Sequence, residues 1–402
     1  MPSAEQPPTS VERTTARLGI DVLLDRDRKL VSGQRVGVVS NPASIDHAFR
    51  HTADRLANDP DVELGALFGP QHGFRSDVQD NMIETPHAKD AQRRLPIYSL
   101  YSETREPTAE MLRDVDVLVI DLQDVGTRVY TYIYTMANCM RAAAKHGVRV
   151  VVCDRPNPVG GTAIEGATLR PEYTSFVGQF PIPLRHGLTI GELARLFNDE
   201  FGIGAALDVV PLDGWRRWMY FDETALPWVM PSPNLPTLDS TIVYPGAVLF
   251  EGTMLSEGRG TTRPFELVGA PWLDGDRLAQ AMNARGLPGV HFRPAFFEPT
   301  FQKHARETCG GCQIHVLDRT RFEPVRAAVE LIAECRAQNP SRFAWREPPY
   351  EYEHQKAPID ILFGSDRLRL TIDAGTAAET LVSEWRTDVD AFRRLREKYL
   401  LY

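Results

Sequence analysis

The sequence predicts an α/β protein in which a doubly wound parallel sheet is followed by a second, smaller α+β domain. Three observations lead there. Val115–Ile120 (VDVLVI) holds five aliphatic residues in six, the habit of a strand covered on both faces and hence of a parallel sheet. Shorter apolar runs at Val36–Ser40, Leu64–Phe68 and Val148–Cys153 are interleaved with helical stretches, a rhythm of strand, helix and strand. Finally, Pro227–Pro236 (PWVMPSPNLP) carries four prolines, and beyond it the rhythm is lost.

Taken in order, residues 1–17 read as a flexible tail, 18–230 as the sheet domain and 231–402 as the smaller domain. A helix is expected around Thr52–Asn58, and a short one at Thr108–Leu112 with Thr108 as N-cap and Glu110 in the positive first turn. Thr131–His146 has no breaker and meets Gly147, a usual residue just past a helix end. Thr189-Ile190-Gly191-Glu192 has the spacing of a capping box. Behind it Ile190, Leu193, Ala194, Phe197 and Phe201 share one helical face, closed by Gly202. Leu207–Leu212 returns as a strand. In the second domain, strands are expected at Gln313–Leu317 and Arg367–Ile372, and helices at Val325–Gln338 and Asp388–Tyr399.

At 402 residues the chain is long for one core, so two domains are the default. A net charge of −9 without a basic block argues against nucleic acid or an anionic membrane surface as partner. No apolar run approaches the roughly 20 residues that span a bilayer, and the N-terminal stretch lacks the pattern of a secretory signal. The odd total of five cysteines fits a reducing cytoplasm better than a disulfide framework. Cys309 and Cys312 lack a second pair in register, so no metal is expected. No feature specifies an oligomeric state.

Each of the four apolar runs leaves into polar residues: Ser40-Asn41, Gln71-His72, Asp121 through Asp124, and Asp154 with Asn157. In parallel strands these exits share one edge, where open α/β sheets bind their ligands. No G-x-G-x-x-G follows the first strand and no G-x-x-x-x-G-K-[ST] is present, so no nucleotide cofactor is expected. G-x-S-x-G and H-E-x-x-H are also absent. Carboxylates, amides, arginines and aromatics remain, the groups that bind and cleave a sugar. One carboxyl protonates the leaving oxygen while a second attacks or activates water, and aromatic rings offer a flat apolar face.

The candidate carboxyls are Glu84, Asp121, Asp124, Glu251 and Glu257. Asp121 could equally be tied up with backbone amides, Asp124 could form an Asx-turn before Gly126, Glu84 could be a solvated loop residue, His72 could cap a turn beside Gly73, and Arg128 could pair with Asp124. The stretches Phe250–Thr253 and Ser256–Thr261, rich in glycine and charge, suit a loop that lets backbone approach a ligand.

GPQHGFR (69–75), LPIYSLY (95–101), DVLVIDLQDVGTRVYTYI (116–133), DRPNPVGG (154–161), PIPLRHGLTIGEL (181–193), PSPNLP (231–236) and LFEGTMLSEGRGTTRPFELVG (249–269) together resemble the NamZ-type exo-β-N-acetylmuramidases of glycoside hydrolase family 171. The resemblance implies a Rossmann-like first domain carrying the site and a smaller domain closing over it. It also implies release of N-acetylmuramic acid from the non-reducing ends of peptidoglycan fragments, without a cofactor. Many members carry a glutamate, the favoured catalytic candidate, where this chain has Gln71. Three readings stay open: Glu84 supplies the acid, the substrate differs, or the protein binds sugar without turnover. With Glu84 as acid, Asp124 is the second carboxylate, with Asp121 and His72 beside them. Asn41, Gln71, Arg75, Arg128, Tyr130, Asn157, Asn234, Glu251 and Arg259 are the expected substrate-binding residues. Arg75, Arg128 or Arg259 would grip the lactyl carboxylate of muramic acid, and the lack of an export signal favours recovery of wall fragments in the cytoplasm.

Overall fold

The structure, a computed structural model, describes residues 16–80 and 82–402. The first part of the chain runs through α1 (Gly19–Asp25), β1 (Gln34–Ser40), α2 (Thr52–Ala57), β2 (Val62–Gly69), β3 (Ala88–Lys89), β4 (Pro96–Ser99), β5 (Val117–Asp121), α3 (Tyr132–His146), β6 (Arg149–Cys153), β7 (Glu165–Thr168), β8 (Pro183–Arg185), α4 (Ile190–Asp199) and β9 (Leu207–Val210). Seven of these strands form one sheet in the order β3-β4-β2-β1-β5-β6-β9. Every pairing in it is parallel except that of the short edge strand β3 with β4.

Alternation along the strands explains the two-sided cover. Val36, Val38, Val117, Val119 and Val151 belong to the core on one face, with Ile20 and Val22 of α1 and Ala53 and Leu56 of α2. Val39, Leu118, Ile120, Val150 and Val152 belong to the core on the other, with α3 and α4. All four residues of Val117–Ile120 are fully buried, and each such side chain contributes roughly 1.5–3 kcal/mol. The strand order reverses between β1 and β5, which makes their carboxyl ends the switch point of the sheet.

The capping box is present: Thr189 Oγ1 accepts from the Glu192 amide at 3.2 Å, and the Thr189 amide donates to Glu192 Oε2 at 3.0 Å. α3 ends at Gly147 with φ +69°, as its glycine implied. Phe201 lies beyond the end of α4 but still stacks on Phe180, ring centroids 5.0 Å apart.

The second part comprises α5 (Leu238–Ala247), β10 (Leu267–Ala270), α6 (Gly275–Ala284), β11 (Val290–Phe297), β12 (Cys309–Val316), α7 (Pro324–Gln338), α8 (Pro358–Phe363), α9 (Arg367–Asp373) and α10 (Glu379–Arg396). Its three strands form an antiparallel sheet, β10-β12-β11. The chain then returns to the first sheet, where the Tyr402 hydroxyl donates to Asp154 at 2.7 Å and the Leu401 amide to Glu192 at 2.9 Å. Among the described residues no helix is long and apolar enough to cross a membrane.

Several local expectations need correction. Thr108–Leu112 forms turns rather than a helix, with the Leu112 amide on the Thr108 carbonyl at 3.1 Å; a single turn does not repay helix nucleation. Arg367–Ile372 is helix α9, not a strand. Its alternation of arginine and leucine misleads, because the buried positions are Leu368, Thr371 and Ile372, which have helical spacing. The helix expected from Asp388 begins at Glu379 and buries Leu381, Val382, Trp385, Val389 and Phe392. Strands β4 and β11 contain Pro96 and Pro294; proline hides a strand in a sequence yet is tolerated at a strand's start or edge. Of the tail expected over 1–17, residues 1–15 lie outside the described residues. Ala16 and Arg17 are tied to Thr224 and Asp213 by backbone hydrogen bonds.

Candidate active site

A pocket lies against the carboxyl edge of the large sheet. Gln71 and His72 enter it from the loop after β2, and Val129–Tyr132 from the start of α3. The proline-rich crossing supplies Ser232, Asn234 and Leu235. The second part of the chain closes it with Tyr244, Val248, Glu251, Arg259, Phe265, Tyr350 and Glu351.

Local structure explains how these side chains reach it. Thr237 caps α5, accepting from the Ser240 amide at 3.2 Å, and the 3₁₀ turn Val248–Gly252 that continues α5 carries Glu251 inward. Arg259 sits between Gly258 and Gly260, which have φ +77° and +79°, a backbone that glycine adopts without penalty. The pocket tyrosines pack edge to face: Tyr130 and Tyr244 centroids are 6.1 Å apart, Tyr244 and Phe265 4.8 Å.

Two pocket carboxyls are held differently. Glu251 Oε1 pairs with Arg259 at 2.6 Å, and Oε2 accepts the Tyr350 hydroxyl at 2.6 Å. Arg259 also faces Glu257 at 3.2 Å, and Glu257 meets Lys303 at 2.5 Å. Burial opposes ionisation of Glu251, but Arg259, Tyr350 and Lys303 outweigh it, so its pKa falls below the ordinary carboxylate value. Glu351 has no arginine or lysine against it in an ion pair among the described residues. Its Oε1 accepts from the Gln71 amide at 3.1 Å and its Oε2 from the Tyr101 hydroxyl at 2.8 Å. Burial outweighs both bonds and raises its pKa.

The Thr131 hydroxyl donates to Gln71 Oε1 at 2.7 Å, which fixes the amide with its NH₂ toward Glu351. His72 Nδ1 lies 2.7 Å from the Val78 carbonyl; a carbonyl only accepts, so Nδ1 carries the proton and Nε2 is left as an acceptor. Burial above all drives its pKa down to about 4, so the ring is neutral near pH 7.

Of the other residues singled out in the sequence, Tyr130, Asn234, Glu251 and Arg259 line the pocket with Gln71 and His72. Asn41 stands one layer behind, its amide donating to the Pro231 carbonyl at 2.8 Å and to Tyr132 Oη at 3.3 Å. Glu84 lies outside the lining, half-exposed, 3.4 Å from both Arg105 and the Tyr352 hydroxyl. Arg75 is exposed. Asp121 is fully buried against Arg155 at 2.5 Å and also bonds Thr52. Asp124 accepts from the Gly126 amide at 2.8 Å, an Asx-turn, and lies 3.3 Å from His186.

Arg128 does not pair with Asp124; it donates to the carbonyls of Ala167, Ile182 and Leu362 at 2.7–2.9 Å. Asn157 bonds the Leu188 carbonyl and the Val159 amide. A Cβ on Gly126 would meet its Oδ1 at 2.5 Å, so this turn requires glycine at φ +76°. Cys309 and Cys312, both buried, are three apart in β12 and so face opposite sides of the strand.

Glu351, Tyr350, Tyr244, Tyr132 and Ser232 were not singled out from the sequence. A usable signal was the YEYE run at 350–353, in which acid and aromatic alternate just past two prolines.

The family model for the N-terminal part of the exo-β-N-acetylmuramidase NamZ matches residues 36–239, and that for its C-terminal part matches residues 242–402. The chain is 46% identical over 393 residues to the peptidoglycan β-N-acetylmuramidase NamZ of Bacillus subtilis, spanning 98% of this chain and 93% of that protein. Two crystal structures of DUF1343 family proteins from Bacteroides fragilis are similar throughout. One has a TM-score of 0.88 at 38% identity, covering 96% of this chain and 99% of that one. The other has a TM-score of 0.75 at 27% identity, covering 97% and 99%. This chain therefore belongs to the family of the exo-β-N-acetylmuramidase NamZ.

Proposed function

We propose that the protein is an exo-acting glycoside hydrolase that releases N-acetylmuramic acid from the non-reducing ends of peptidoglycan fragments, with Glu351 as general acid and Glu251 as the ionised carboxylate. The observation that carries the assignment of roles is the pair of pocket carboxyls whose surroundings move their pKa values apart, Glu351 upward and Glu251 downward. Such a split marks the acid and its charged partner. The 46% identity to the Bacillus subtilis peptidoglycan β-N-acetylmuramidase supports the reaction and the substrate.

In this mechanism Glu351 passes its proton to the glycosidic oxygen as the bond from that oxygen to the sugar ring breaks. Positive charge then develops on the ring, where the fixed charge of Glu251 stabilises it. Water finally adds to the anomeric carbon and gives up a proton, which restores Glu351 as an acid and releases the free sugar. Gln71 cannot donate a proton to an alcohol leaving group, and its part is to hold Glu351. Glu84, the acid expected from the sequence, is displaced from that role by its half-exposed position outside the pocket. A sugar-binding protein without turnover, which Gln71 alone suggested, is not favoured, since the pocket keeps two other carboxyls. A cytoplasmic setting is part of the proposal, and five buried cysteines without a disulfide are compatible with it.

The test is Glu351→Gln with a muramyl–glucosaminide disaccharide. Turnover should fall by about 10²–10⁴-fold, and by less on an aryl muramide whose phenol leaves without a proton. Undiminished cleavage of the disaccharide removes Glu351 from the acid role.

A further inference from the structure

We infer that the turn carrying Glu351 presents, on its outer side, the subsite for the leaving group: a pyranose stacked on the Tyr352 ring, with Arg105 and Glu84 receiving its polar substituents. This rests on the reading of Glu351 as the acid. The turn is closed by two backbone hydrogen bonds between Tyr350 and Glu353, each 2.9 Å. The residues between, Glu351 and Tyr352, have φ +46° and +67°, a left-handed conformation that side chains other than glycine seldom adopt. Consecutive side chains consequently part: Glu351 is 3% exposed and lines the pocket, whereas Tyr352 is 45% exposed.

Tyr352 is built into a cluster. The Arg105 guanidinium lies 4.2 Å from its ring centroid and 4.7 Å from that of Tyr101. Glu84 Oε1 is 3.4 Å from both the Tyr352 hydroxyl and Arg105 Nη2. Tyr101 also donates to Glu351, so acid and cluster share a residue. An acid must touch the oxygen that departs, so the leaving group lies on the acid's side of the broken bond. The pocket behind Glu351 is left for the sugar that is released. Arg105 lies over one face of the Tyr352 ring, and the face away from it is the flat apolar surface that the C–H face of a pyranose needs. Arg105 is a planar donor and Glu84 an acceptor for hydroxyl and acetamido groups. The ordinary alternative is a surface cation–π stack that only braces the turn.

The two are separated by measuring kcat/KM for the muramyl–glucosaminide disaccharide and for N-acetylmuramyl fluoride, whose single leaving atom does not reach Tyr352. In Tyr352→Ala the disaccharide-to-fluoride ratio should fall about tenfold or more, chiefly through KM for the disaccharide. Tyr352→Phe, which keeps the ring, should restore the ratio to within about threefold of the wild type. An unchanged ratio in Tyr352→Ala overturns the subsite, whether both rates are kept or both drop together. If the wild-type protein cleaves neither substrate, the hydrolase reading fails and the subsite with it.

Discussion

Asp121 and Glu351 are both buried carboxyl groups near the carboxyl edge of one sheet, yet Arg155 lies against the first and an amide and a phenol against the second. The contrast extends to their surroundings. At the exits of β5 and β6, Asp121, Asp124, Arg128, Arg155 and Asn157 spend their hydrogen bonds on the protein itself. In the pocket, Gln71, His72, Glu251 and Glu351 surround empty space. Arg155 holds the Asp121 charge in place, whereas Glu351, with no arginine or lysine paired to it among the described residues, has its pKa raised by burial and is the better proton donor. Buried carboxyls thus divide into braces and reagents, and lining the pocket is what sets Glu251, with Arg259 at 2.6 Å, apart from Asp121, with Arg155 at 2.5 Å.

The comparison is broken most forcefully at its structural end. Asp121→Ala leaves Arg155 buried and unpaired, which should cost roughly 3–5 kcal/mol. Urea unfolding should register this, while kcat of the remaining folded protein changes little; a small loss of stability with a large loss of kcat would reverse the two roles. Glu251→Gln should do the opposite. We expect kcat to fall by about 10²–10³-fold, with the urea midpoint shifted less than by Asp121→Ala, because Glu257 stays against Arg259 at 3.2 Å and an amide can still accept its hydrogen bond. Steady-state kinetics beside an unfolding curve checks both halves.

The smallest effect is on pH dependence. Glu351 must be protonated to act and its pKa is raised, so activity is lost as pH climbs through that value. Glu251 must be ionised and its pKa is lowered, so activity is lost as pH falls through it. Gln71→Glu puts a second carboxyl at the position of an amide now 3.1 Å from Glu351. Two carboxyls that close share a proton and the upper apparent pKa rises, so the alkaline limb of kcat/KM should move up by about one pH unit. A limb that stays in place separates Glu351 from the alkaline titration.

Much of the first sheet was legible because its strands are local and unambiguous. Val117–Ile120 could only be interior, Thr189 and Glu192 cap their own helix, and Gly147 ends α3. Pro96 and Pro294 concealed two strands for the opposite reason, since proline is tolerated at the start of a strand, as in β4, and on an edge strand, as in β11. The site divided along the same line. Gln71 and His72 follow directly from a strand end, whereas Glu351 lies 280 residues from Gln71 in the chain, and no spacing links them.

By itself, the sequence determined the parallel sheet, the edge at which its polar exits gather and, through seven motifs, the family. These follow from apolar periodicity and from residues near one another in the chain. Only the tertiary structure decided which of the acidic residues are braces and which face the pocket. That depends on what packs against each group and on whether it borders the pocket, and such contacts join residues 34 positions apart, as for Asp121 and Arg155, or 280 apart, as for Gln71 and Glu351.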